Sequence, residues 1–137
     1  MPSRGLSELV LIVADVARSA AFYRDVVGLT PETPPSADWG WFWAGPPGAR
    51  QRLAVHRGTL LFEEHSPHPP GRRFGPVHFA LEVARGELEA DLARVRAAGV
   101  QVHGPKDFEW MRARSYYFYD PDGHLVEYWS PDPDGPR

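Results

Sequence analysis

One histidine and two glutamates of this chain stand on strand-like runs. Glu8 precedes Leu-Val-Leu-Ile-Val, His78 heads Phe-Ala-Leu-Glu-Val, and Glu127 lies within residues 124–129. One imidazole and two carboxylates suit a divalent ion such as Mn²⁺, Fe²⁺, Ni²⁺ or Zn²⁺, with positions left open for water or a ligand. Singly, each residue has a plainer reading: a strand histidine is more often structural or exposed, and a glutamate at a strand end is usually solvated. The metal reading needs all three on one surface, and that depends on the elements that carry them.

Those elements come twice. Residues 7–14 read as a strand, and Asp15 follows as a helix N-cap. Val16, Ala20, Tyr23 and Val27 then fall at i, i+4, i+7 and i+11, one face of a helix over 16–27. Gly28 stands where a left-handed C-cap belongs. Later, residues 77–83 read as a strand. Gly86-Glu87 opens a helix with Leu88, Leu92 and Val95 on its apolar stripe, and Gly99 closes it. Strand-like segments follow each helix: 39–44, 51–56 and 59–65 in the first half, 100–103, 115–119 and 124–129 in the second. Asp120-Pro121-Asp122-Gly123 carries the residue preferences of a type I turn. The pattern predicts an α+β fold of two tandem βαβββ modules, about residues 5–66 and 75–131, within a single domain over 1–137. Pro67 to Gly71 is the joining loop, and the Pro-rich tail from Pro131 is expected to fray.

Alternation sorts the strands into faces. Leu9, Leu11 and Val13, and in the repeat Phe79, Leu81 and Val83, form the apolar sets that belong under the helices. Glu8 and His78 then occupy equivalent positions on the opposite, helix-free faces. In the last strand Glu127 points away from Val126 and Tyr128. If these faces curl into one concave surface, the three residues converge. Trp39-Gly40-Trp41-Phe42-Trp43 reads first as core aromatics of a hairpin strand, and second as the wall of a pocket for an apolar or planar ligand.

Composition narrows the partners. The net charge of −3 and the lack of a basic stripe argue against nucleic acid. The absence of cysteine excludes thiolate metal sites, disulfides and a cysteine nucleophile. With no 18-residue apolar run and no signal-peptide pattern at the start, no membrane association is expected, and the cytoplasm is the expected location.

Three stretches carry a family resemblance. VADVARSAAFYRDVVGL, GPVHFALEV and SYYFYDPDGHLVEYWSP together resemble the vicinal oxygen chelate superfamily of glyoxalases, bleomycin-resistance proteins, fosfomycin-resistance proteins and extradiol dioxygenases. The resemblance implies a curved open sheet around a central cavity, with His78 and Glu127 at two metal-ligand positions. The first ligand position falls seven residues before Asp15, at Glu8, where the family usually has His. A fourth position, on the last strand of the first module, is ambiguous. Aligning Gly58 with Gly123 puts Phe62 over Glu127, and aligning Ser66-Pro67 with Ser130-Pro131 puts Glu63 there; Glu64 shares parity with Phe62 and is a candidate general base. The ending is most similar to that of fosfomycin-resistance proteins, which implies that Ser115 and Tyr117 face the ligand, with Arg114 or Lys106 nearby. Val10 and Asp107 replace a Thr and a Lys that would hold a phosphonate, so fosfomycin is not the expected substrate.

Two functions are weighed. The first is a metal-dependent lyase, isomerase or thiol transferase. It would chelate a small oxygenated substrate through Glu8, His78 and Glu127, with Trp41 and Trp43 lining the pocket, and work as a homodimer like many relatives. The second is a metal-free protein of the bleomycin-resistance type that sequesters an aromatic or cationic ligand.

Overall fold

Two four-stranded sheets with the same strand order hold most of the regular structure. The computed structural model describes residues 3–58 and 76–134, and the chain divides into two units, Met1–Gly75 and Pro76–Arg137.

In the first unit β1 (Glu8–Val13) leads into α1 (Val16–Ala21), followed by β2 (Thr30–Pro31), β3 (Trp39–Trp43) and β4 (Arg52–Arg57). Asp15 caps α1: its carboxylate accepts from Arg18 N at 3.0 Å. The helix then widens over Phe22–Val26, where Val27 N reaches back to Phe22 O. Gly28 ends it at φ +86°, the left-handed conformation that glycine adopts without a Cβ penalty. The sheet order is β1-β4-β3-β2, with β1 and β4 parallel. Leu11 and Val13 on β1, Phe42 on β3, and Leu53 and Val55 on β4 are buried with Val16, Ala20 and Tyr23 of the helix. Gly40 lets the helix approach: a Cβ there would lie 2.9 Å from Val55 Cγ2 and 3.6 Å from Ala20 Cβ.

The second unit repeats the plan with β5 (His78–Glu82), α2 (Leu88–Ala97), β6 (His103–Phe108), β7 (Ala113–Tyr119) and β8 (Leu125–Pro131), ordered β5-β8-β7-β6. Leu88, Leu92 and Val95 of α2 are buried, as are Tyr116, Phe118, Val126 and Tyr128 of the sheet. Phe118 and Tyr128 meet edge to face at 5.0 Å. The turn forms as its residues dictate. Gly123 N bonds Asp120 O, and Asp120 Oδ1 accepts from Asp122 N and His124 N. His124 Nδ1 in turn accepts from Val77 N, fastening the turn to the start of β5.

Three expectations about strands need correction. The strand completing the first sheet beside β1 is β4, so residues 51–56 fill the place expected for 59–65. The expected strand 59–65, with Glu63 and Glu64, lies outside the described residues, as does the joining loop. The missing third strand is the two-residue β2, which has no alternation to read. In the second unit β6 begins at His103, where the expected strand ended. No helix among the described residues is long and apolar enough to cross a membrane.

Candidate functional site

In-register partners across a sheet share a face, so the ladders place the side chains. On the helix-free face of the second sheet His78 pairs with Leu125, and Ala80 with Glu127. Glu127 also pairs with Tyr117, and Ser115 with Trp129 on one side and Lys106 on the other. The sequence placed His78, Ser115, Tyr117 and Glu127 as site residues, and this face brings them together.

Their contacts are specific. His78 Nε2 lies 3.0 Å from Glu127 Oε2; the carboxylate side chain is 10% exposed and the imidazole 50%. The other imidazole nitrogen, Nδ1, lies 3.3 Å from the Leu125 carbonyl oxygen. A carbonyl only accepts, so Nδ1 carries the hydrogen, and in the neutral ring Nε2 turns a lone pair toward Glu127. A lone pair and a carboxylate at that distance repel unless a proton or a cation lies between them. Ligand bonds of about 2.1 Å at near right angles separate two donor atoms by about 3.0 Å. The His78–Glu127 pair therefore fits a divalent ion in both donor type and spacing. Within neither unit do three His, Asp or Glu side chains of the described residues cluster as a complete metal site.

Two hydroxyls surround the carboxylate. Ser115, fully buried, donates from Oγ to Glu127 Oε1 at 2.5 Å. Tyr117 has its ring centroid 6.1 Å from that of His78. Desolvation, and next the Glu127 charge, push its phenol above the ordinary tyrosine value, so it remains a neutral hydroxyl. Arg114 is not among these residues. It alternates onto the other face of β7 beside Tyr116, and its guanidinium grips Asp107 at 2.7 and 3.1 Å. That hydrogen bond holds Asp107 below the usual carboxylate range.

The first sheet has its own helix-free face. Glu8 is exposed at the head of β1, in register with Arg52, while Val10 pairs with Ala54 and Ile12 with His56. Ala54 thus holds the ladder position that Glu127 holds in the second sheet, and this described strand offers no fourth carboxylate. Trp39, Trp41 and Trp43 continue the same rows onto β3. Trp39 stacks on Trp41 at 5.2 Å and on His56 at 3.9 Å. The Arg52 guanidinium lies 4.7 Å over the Trp43 ring and donates to both oxygens of Glu32. A cavity of about 360 Å³ opens here, lined by Ser7, Glu8, Glu32, Thr33, Trp41 and Arg52. Sequence reasoning named Trp41 and Trp43 but missed Glu32 and Arg52. The signal was cross-strand charge pairing, which is unreadable until the register is known.

Known proteins share this fold. A glutathione transferase, FosA, from Serratia marcescens is 29% identical over 124 residues, 90% of this chain and 79% of that protein. An integron cassette protein from the mobile metagenome of the Halifax Harbour sewage outfall superposes with a TM-score of 0.72 at 28% identity, covering 93% of this chain and 99% of its own. A genomically encoded fosfomycin resistance protein, FosX, from Listeria monocytogenes has the same fold at a TM-score of 0.68 and 23% identity, over 97% and 94% of the two chains. Its structure contains Mn(II) and 1S,2S-dihydroxypropylphosphonic acid. Residues 5–128 match the family described as the Glyoxalase/Bleomycin resistance protein/Dioxygenase superfamily, and with its paired modules the chain belongs to that superfamily.

Proposed function

We propose that this chain is a metal-dependent enzyme of its superfamily, acting on a small oxygenated substrate at the helix-free face of the second module. The supporting observation is the 3.0 Å approach of His78 Nε2 to Glu127 Oε2, with Nδ1 turned to the Leu125 carbonyl. Glu8 is the third ligand of this reading, taken from its place at the head of β1. A divalent ion held by these residues would supply Lewis acidity toward adjacent substrate oxygens. The protein's own part is to exclude water around the buried Glu127 and to hold the neutral Tyr117 phenol against that carboxylate. A single functional domain over 1–137, a cytoplasmic homodimer, and a choice among Mn, Fe, Ni and Zn complete the reading. Glu64 is the candidate general base of this reading.

Metal analysis of protein purified without chelator, together with melting temperatures in each of the four ions, tests it. The reading fails if no ion co-purifies and none raises the melting temperature.

The aromatic face of the first module favours a second reading, metal-free sequestration of an aromatic or cationic ligand. Trp41 and the Glu8 carboxylate share a cavity there, which suits an organic cation. Ligand-induced tryptophan quenching that persists in EDTA would support this reading against the first.

A further inference from the structure

We infer that Ser115 is a positioning residue for the metal site, acting through Glu127 and making no contact with substrate. This rests on the metal reading of His78 and Glu127 above.

A serine hydroxyl has one hydrogen to give. Here it goes to Glu127 Oε1 at 2.5 Å, a length typical of an O–H···O⁻ bond to an ionised carboxylate. Nothing is left to donate to a substrate oxyanion, and the side chain is closed to solvent, at 0% exposure. The bond settles how the carboxylate is turned. With Oε1 tied to β7, only Oε2 is presented toward His78, at 3.0 Å. The two strands are hydrogen-bonded neighbours, with Ser115 in register with Trp129 and Tyr117 with Glu127, so the hydroxyl reaches the carboxylate diagonally. β7 thus fixes a ligand that β8 carries. The Tyr117 phenol is likewise engaged with Glu127 and Ser115, so any oxyanion of the substrate must find its donor elsewhere on this face, as at Lys106, which lies opposite Ser115 in the ladder.

The test is a Mn(II) titration of the full chain, following free Mn(II) by electron paramagnetic resonance, for wild type, Ser115→Ala and Ser115→Thr. Removing the hydroxyl should weaken Mn(II) roughly 10- to 100-fold, the usual effect of deleting a group that orients a metal ligand. Ser115→Thr, which keeps the hydroxyl, should recover most of the loss. If Ser115→Ala does not fold, Ser115→Cys is read in its place. It fills the site with a weak S–H donor and should fall below wild type. A folded Ala or Cys variant that binds Mn(II) as tightly as wild type overturns the inference. A wild type that takes up no Mn(II) overturns the metal reading itself, and this inference with it.

Discussion

Tyr128 lies next to Glu127 on β8 but points to the opposite side, into the core under α2, where its hydroxyl meets Arg94 Nη2 at 3.3 Å. Burial raises its pKa from 10.0 to about 12, against the opposing pull of Arg94. Below the unfolded value the phenol is neutral in both folded and unfolded chains, so its full contribution to stability is present. Between 10.0 and about 12 the unfolded chain ionises first and folding is progressively penalised. A shift of about two units at 1.36 kcal/mol each amounts to about 2.7 kcal/mol lost across that window. Tyr128→Phe isolates the effect, because phenylalanine fills nearly the same space and cannot ionise. Arg94 keeps its 2.7 Å bond to Asp91, so the variant should cost about 1 kcal/mol or less near neutral pH. As pH rises the order should invert, with the variant the more stable by about 1–2 kcal/mol near the top of the window. Urea unfolding followed by tryptophan fluorescence, at steps through that range, measures both curves. Parallel profiles for the two proteins would show that Tyr128 ionises freely in the fold and would refute the reasoning.

Other perturbations probe the site and its supports. His78→Ala and Glu127→Ala should each abolish any metal-induced rise in melting temperature, and Glu8→Ala should do the same; an unchanged rise in the Glu8 variant would remove Glu8 from the ligand set. Gly40→Ala places a Cβ against Val55 Cγ2 and should destabilise by about 1–3 kcal/mol, read by thermal unfolding and relieved in the double variant with Val55→Ala. Asp120→Ala strips the acceptor from two backbone N–H groups at the turn before β8. A loss of about 1–3 kcal/mol is expected, measured by chemical denaturation.

Much of the scaffold was legible because local chemistry and tertiary packing agree in it. Asp15, Gly28, Gly99 and the Asp120–Gly123 turn punctuate the chain where the structure needs them; alternation put His78 and Glu127 on the helix-free face, and the family resemblance added Ser115 and Tyr117, which share it. The same alternation excludes Arg114, which is one residue from Ser115 and so on the other side. The misplaced strands have physical causes. β2 is two exposed residues held only by pairing with β3, and β6 is a polar edge strand, His-Gly-Pro-Lys-Asp-Phe, with an irregular register. Neither carries an apolar period. In the first module, two apolar runs compete for the place beside β1, and only the parallel register of β4 against it decides between them.

Ala54 stands where its counterpart in the second sheet is Glu127. The two modules share a scaffold and not its chemistry. The first module has spent that strand position on a buried methyl group, flanked in its row by Val10 and Trp41. The second has kept an acid there, clasped by a serine and a histidine. The two sheets therefore share a ladder and differ in what it carries: indoles and a methyl group on the helix-free face of one, an acid with a serine and a histidine on that of the other.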